Sequence, residues 1–207
     1  MEVIMKLVSQ LLFIFFMLGL ISVCLPQKLL AESSDDGITS FQLYQPKANQ
    51  GDAQAQYNLA LLYYNGVGTP QDSKQAVYWY TKAAEQGHVN AQYSLGQMYS
   101  ESYSKEVPHD YKQAVFWYTK AAEQGYVYAQ YNLGQMYRYG YGKEVPQDFE
   151  QAVFWYTKAA EQGFVFAKEN RDEILEMMSQ SQVEEVQKLS KEFYEKDIQQ
   201  SKVTSYY

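Results

Sequence analysis

The chain has 207 residues, 46% of them hydrophobic and 16% aromatic, with 21 tyrosines. That is enough apolar surface for one folded domain, and it excludes a wholly disordered chain. A formal net charge of −7 argues against nucleic-acid binding, which needs a basic stripe, and against adsorption to anionic lipid.

The first element is a targeting segment at residues 1–31. Lys6 precedes Leu7–Leu25, which is apolar except for Ser9, Gln10 and Ser22. Its uninterrupted part, Leu11–Ile21, is shorter than the roughly 20 residues of a spanning helix. A small residue follows in Leu29-Leu30-Ala31-Glu32-Ser33. Positive start, apolar middle and small-residue end describe a secretory signal cleaved after Ala31. The competing readings are an uncleaved membrane anchor and lipid attachment at Cys24, for which Val23 is a poor preceding residue. Cys24 is the only cysteine, so the cleaved chain has no disulfide, thiolate nucleophile or cysteine metal site. The implied location is extracytoplasmic: periplasm, cell surface or secreted.

Residues 32–50 read as a polar linker and a degenerate cap helix. Phe41, Tyr44, Ala48 and Gly51 align with Val77, Tyr80, Ala84 and Gly87 further on, and Pro46 is expected to kink the helix. The repeats follow, over residues 51–180. AVYWYTKAAEQGHVNAQ at 76–92 recurs as AVFWYTKAAEQGYVYAQ at 114–130 and AVFWYTKAAEQGFVFAK at 152–168. AQYNLALLY at 55–63 recurs as AQYSLGQMY at 91–99 and AQYNLGQMY at 129–137. Copies run over about 55–90, 91–128 and 129–166, with a partial copy at 167–180; their starts are 36, 38 and 38 residues apart. A period of this size marks a solenoid whose units bury their apolar faces against one another.

Each unit holds two helices by pattern. Ala91, Leu95, Met98 and Tyr99 share one helical face, and so do Ala114, Tyr118, Ala121 and Ala122. Asp72, Asp110 and Asp148 stand three residues before Gln75, Gln113 and Gln151, the shape of a capping box. Gly87, Gly125 and Gly163 close the second helix. Gly96 and Gly134 recur inside the first helix, where a tight crossing is the reason to keep them, and Ala83-Ala84, Ala121-Ala122 and Ala159-Ala160 suit the other side of that crossing. Repeat one has Ala60 instead, which predicts a slightly wider crossing there. Trp79, Trp117 and Trp155 are the large side chains expected to fill space between units.

With A-Q-Y-x-L-G-x-M-Y, a Gly-x-Gly loop, the aspartate before the second helix and A-V-x-W-Y-x-K-A-A-x-x-G in register, the chain resembles the Sel1-like repeat family, relatives of the tetratricopeptide repeats. The resemblance covers about residues 51–170. It implies an all-α fold: a right-handed α/α solenoid of three helix-turn-helix repeats with capping helices. It also implies scaffold or adaptor roles with a protein or peptide partner. One departure stands out. Gly66-Val67-Gly68 and Gly140-Tyr141-Gly142 become Ser102-Tyr103-Ser104 in repeat two, so that turn is expected to be the least regular.

Residues 181–207 read as an amphipathic helix and tail. Val183, Val186, Leu189, Phe193 and Ile198 lie among many charges, which suits a helix folding back on the last repeat or docking a partner.

No catalytic constellation stands out. His88 and His109 are the only histidines and occupy loop positions that vary between repeats. Gly66-Val67-Gly68 follows no strand, so it is not a phosphate loop. The reading is therefore of a non-enzymatic protein without cofactor or metal, touching membrane only if residues 1–31 are kept. A secreted enzyme acting on cell-wall or β-lactam-like compounds is the alternative that the family suggests, and a membrane-tethered adaptor is the other. The binding candidates lie on the first helices, opposite their buried face: Tyr57, Leu61 and Tyr64; Asn90, Tyr93 and Gln97; Tyr128, Tyr131, Gln135 and Arg138. If these helices line the concave side, as in tetratricopeptide-like solenoids, they make a groove of tyrosine and amide suited to a peptide. The competing reading is that Tyr57, Tyr93 and Tyr131 pack between helices. Tyr78, Phe116 and Phe154 form a second stripe, on the convex side.

Overall fold

The computed structural model describes residues 37, 39–101 and 105–204. The signal segment with Cys24, and the Ser102-Tyr103-Ser104 turn, lie outside them. Among the described residues the chain forms helices and no strand; Tyr141 and Val145 form an isolated bridge. None of these helices is long and apolar enough to cross a membrane.

Residues 39–49 form α1. Then α2 (Ala53–Asn65) and α3 (Ser73–Glu85) make repeat one, α4 (Val89–Ser100) and α5 (Tyr111–Glu123) repeat two, and α6 (Val127–Tyr139) and α7 (Phe149–Glu161) repeat three. The chain continues as α8 (Val165–Leu175) and α9 (Gln180–Thr204). We call α2, α4 and α6 the A helices and α3, α5 and α7 the B helices.

Local chemistry starts and stops these helices. Asp72, Asp110 and Asp148 cap the B helices, each accepting 2.9 Å hydrogen bonds from the backbone N–H of Gln75, Gln113 and Gln151. This is half of a capping box. The aspartate N–H groups donate instead to the carbonyls of Tyr63, Tyr99 and Tyr137 at 2.8–3.0 Å, tying each B helix to the A helix before it. Each B helix ends with a glycine at positive φ: Gly87 at 86°, Gly125 at 85° and Gly163 at 86°. The two N–H groups after the C-cap turn back to the last carbonyls, as His88 to Ala83 and Gly87 to Ala84, which satisfies orphaned acceptors.

The crossing inside each repeat explains the recurrent glycine, with a correction. A Cβ on Gly96 would lie 2.4 Å from Cδ1 of Tyr118, and one on Gly134 2.5 Å from Cδ1 of Tyr156. The glycine thus makes room for a buried tyrosine ring, rather than meeting the alanine pair that the sequence suggested. Tyr80, Tyr118 and Tyr156 are the central ring of each repeat, buried with Leu59, Leu95 and Leu133. Truncating any of these leucines to alanine costs about 2–5 kcal/mol.

Tryptophans join the repeats. Trp117 of repeat two lies in one core with Ala60 and Tyr80 of repeat one, and Trp155 of repeat three lies in one core with Ala114 and Tyr118 of repeat two. Trp79 packs against Ala48, Ala55 and Leu59, so it reaches α1.

A glutamine relay crosses every joint, and sequence reasoning did not single it out. Gln92 is buried, donates from Nε2 to the Ala84 carbonyl (3.0 Å) and accepts on Oε1 from Gln124 Nε2 (2.7 Å). Gln130 does the same with Ala122 (3.1 Å) and Gln162 (2.8 Å). Gln56 does it with Ala48 (3.1 Å) and Gln86 (2.7 Å). Ala48 therefore stands in α1 where Ala84 stands in α3. The helical run of α1 continues through Pro46.

Candidate functional site

The A helices set the candidate groove. Position by position, α2 supplies Tyr57, Leu61 and Tyr64, and α4 supplies Asn90, Tyr93 and Gln97. All six line one cleft of about 310 Å³, together with Asn65, Tyr80, Ser94, Met98 and Tyr126. None of the lining side chains is charged. Burial raises the pKa of Tyr57, Tyr64 and Tyr93 and pushes Tyr80 well above the ordinary phenol range. At neutral pH the cleft therefore presents neutral hydroxyls and amides over aromatic faces.

Tyr57, Tyr93 and Tyr131 pack and also line surface. Tyr57 sits 5.7 Å from the Tyr80 ring and 4.6 Å from the His88 ring, stacked on the latter. Tyr93 sits between Tyr118 (5.8 Å) and Tyr126 (4.9 Å), and Tyr131 between Tyr156 (5.8 Å) and Phe164 (4.9 Å). Each A-helix tyrosine is thus held between its own B helix and the residue that starts the next A helix. Such paired rings are fixed before any ligand arrives, so they lose little rotamer freedom on binding.

His88 has a structural role that its loop position hid. Its Nδ1 accepts from the Ala91 N–H (3.3 Å), capping α4, while Nε2 faces Gln54 Oε1 (3.2 Å). Only the neutral tautomer with the proton on Nε2 makes both contacts. Burial lowers its pKa.

The other four candidates do not join that cleft. Gln135 lines a smaller one of about 170 Å³ with Ser100, Glu101, Tyr118, Asn132, Met136 and Tyr141. Its amide is already engaged: Nε2 donates to Tyr131 Oη (2.8 Å), and Oε1 accepts from Tyr156 Oη (2.6 Å). Arg138 donates to Asn170 Oδ1 (2.6 Å) and pairs with Glu173 (2.8 Å), both on α8. Asn170 also donates to Tyr131 Oη at 3.4 Å. Tyr128 is 51% exposed and belongs to a ring cluster with Tyr93, Tyr126 and Phe164. At repeat three the groove is therefore tied shut by α8, while between α2 and α4 it stays open.

Sequence reasoning missed Tyr80, Ser94, Met98, Asn65 and Tyr126. Ser94 lies one turn after Asn90 on the same helix side, so a wider arc around α4 would have found it. Tyr80, which the sequence singled out only as the counterpart of Tyr44, also lines the cleft. No group of three or more histidine, cysteine, aspartate or glutamate side chains that could hold a metal occurs among the described residues.

Comparison with known proteins gives a consistent picture. The Sel1 repeat family model matches residues 53–88, 89–126 and 127–164. No curated protein matches the chain. Among solved structures, a protective antigen present in uropathogenic Escherichia coli strains, displaying an SLR fold, is 35% identical, with a TM-score of 0.61 over 79% of this chain. This chain spans only 34% of that antigen. A Sel1 repeat protein from Oxalobacter formigenes is 38% identical, with a TM-score of 0.55 over 64% of this chain and 96% of its own.

Proposed function

The chain belongs to the Sel1 repeat family, and we propose that it is an exported, non-enzymatic scaffold that holds an uncharged stretch of polypeptide in the cleft between α2 and α4. The observation that carries this is the cleft itself. Paired tyrosine rings floor it, and Asn90, Gln97 and Asn65 offer both donors and acceptors at its rim. A peptide backbone needs such alternating donors and acceptors, and its apolar side chains suit the rings. With no charge in the lining, a strongly charged segment gains nothing there to offset its lost hydration.

Export rests on the character of residues 1–31. A relative described as a protective antigen suits such a setting. N-terminal sequencing of the exported protein should read from Glu32; retention of Met1 would indicate a membrane tether instead.

The binding test is selection from a random library of roughly 12-residue peptides on the chain from residue 32 onward. Enriched peptides should carry little net charge. Asn90→Ala with Gln97→Ala should weaken them about tenfold, which is about 1.4 kcal/mol. These two side chains are chosen because neither belongs to the ring stack that holds the repeats. Enrichment that is indifferent to both substitutions would remove the cleft as the site.

A further inference from the structure

The outer face of the B helices repeats one unit. Tyr78 and Lys82, Phe116 and Lys120, and Phe154 and Lys158 stand four residues apart, and each ammonium lies over its ring at 5.8, 5.9 and 6.0 Å. Each ring also meets the following tryptophan edge to face, at 5.0, 4.8 and 4.9 Å. The three units differ in exposure. Tyr78 is 50% exposed and Phe116 48%, whereas Phe154 is 5% and Lys158 8%.

The difference is α9, which packs along α7. Val186 is buried with Val153 and Tyr156, and Leu189 packs against the cluster that holds Phe154 and Trp155. Gln182 Nε2 donates to Glu150 Oε1 at 3.0 Å, fixing the start of the contact. Along α9, Val183, Val186 and Leu189 form one apolar strip, with Glu184, Glu185 and Glu192 and also Lys188 and Lys191 beside it. An aromatic ring with a lysine over it is thus a seat for the apolar strip of an amphipathic helix, and the chain fills that seat once; the lysines of the open seats, Lys82 and Lys120, favour carboxylates on whatever fills those.

We propose that the two open seats, Tyr78–Lys82 and Phe116–Lys120, form a docking surface for an acidic amphipathic helix of a partner protein. A partner helix laid across α3 and α5 would meet the Tyr78 and Phe116 rings in turn. Its carboxylates would face Lys82 and Lys120. Lys120 has only a loose neighbour now, Glu123 at 3.9 Å with both groups about half exposed, which an incoming carboxylate can replace. A second copy's α9 is the weaker occupant, because leaving its own α7 would expose Val153 and Phe154. The rings stand on B helices and the cleft on A helices, so this surface does not depend on the cleft reading.

The probe is a labelled synthetic peptide of residues 180–204, titrated by fluorescence anisotropy into the chain from residue 32 onward, which holds every described helix. Saturable binding is expected. Tyr78→Ser with Phe116→Ser should weaken it at least about tenfold, and so should Lys82→Glu with Lys120→Glu, the remaining affinity falling further with salt. Circular dichroism should show both variants as folded as wild type, since the rings are half exposed. Three results would overturn the proposal: no binding up to about 1 mM, binding unchanged in both double variants, or equal binding of a scrambled peptide. Self-association of the chain that Tyr78→Ser with Phe116→Ser abolishes would overturn it too, by making a second copy the occupant.

Discussion

Gly96→Ala should destabilise the protein, against the usual rule that alanine improves a helix. In an exposed helix the change would gain about 1 kcal/mol. Here the new Cβ would lie 2.4, 2.5 and 2.8 Å from Cδ1, Cε1 and Cγ of Tyr118. Ordinary contact needs about 1 Å more, so the ring or the helix must move. Tyr118 cannot swing freely: it is 2% exposed, its hydroxyl is 3.1 Å from Ser100 Oγ, and Tyr93 lies against it at 5.8 Å. Overpacking of this kind costs about 1–3 kcal/mol. Setting the gain of about 1 kcal/mol against it leaves a net loss of up to about 2 kcal/mol, or as much as roughly 4–8 °C in Tm for a domain of this size. Repeat one supplies the internal control, because Ala60 occupies the same position, buried in one core with Tyr80. Ala60→Gly should also destabilise, through one lost buried methyl (about 0.8 kcal/mol) and the poorer helix former. Thermal denaturation followed by circular dichroism checks both. A Gly96→Ala variant as stable as wild type would show that the crossing is soft and that the glycine recurs for some other reason.

The remaining predictions concern the joints and the caps. Gln92→Leu removes two hydrogen bonds but leaves the Ala84 carbonyl its backbone partner Gly87, so a loss of about 1–2 kcal/mol is expected; a double-mutant cycle with Gln124→Ala should show coupling, and strict additivity would count against the relay. Asp110→Ala should cost about 0.5–2 kcal/mol as a lost N-cap, and Asp110→Asn, which can still accept from Gln113, should recover most of the lost Tm. His88 has a folded pKa lowered by burial, so it favours the folded state above its unfolded value and withdraws that support as pH falls through the folded one. The Tm of wild type should therefore drop more between pH 7.5 and pH 5.5, values bracketing the ordinary histidine pKa of about 6.5, than that of His88→Asn; equal drops would remove the histidine cap from the account.

Much of this fold was legible because the repeat presents each signal three times. The B-helix starts follow from aspartate three residues before glutamine, and their ends from a glycine at positive φ. Both devices act within a few residues, so one chain segment contains cause and effect. The second half of the capping box was not legible, because the aspartate N–H groups found carbonyls on another helix, those of Tyr63, Tyr99 and Tyr137. Gly96 announced a close approach without naming the ring that approaches. The glutamine relay was visible as A-Q-Y and E-Q-G in every copy, but glutamine is ordinarily a surface residue and its partners are about 32 positions away. In the candidate site, the helical period put Tyr57, Leu61, Tyr64, Asn90, Tyr93 and Gln97 on one side of their helices, and these six line one cleft. It could not show that Arg138, Tyr131 and Gln135 are engaged by α8 and α7, since that depends on how the array ends.

The ends decide what three nearly identical repeats can offer. A repeat in the middle of such an array shows its groove and its outer face in every copy. At repeat three both are covered: α8 engages Arg138 and Tyr131 on the A-helix side, and α9 covers Phe154 on the B-helix side. A short array needs this, because its last unit would otherwise present an unpaired apolar face to water. The same capping leaves the open cleft and the exposed Tyr78 and Phe116 rings, the two proposed binding surfaces, together on repeats one and two. The two surfaces lie on different helices of the same two repeats. Ligand held between α2 and α4 would brace the α2–α3 and α4–α5 pairs against each other, since Tyr80 and Trp117 pack in the one core that lies beneath the cleft. Binding at the cleft should accordingly strengthen helix docking on α3 and α5. The effect is reciprocal by linkage. Titrating the residue 180–204 peptide with and without a cleft-selected peptide measures it, and identical affinities would show the two faces to be independent.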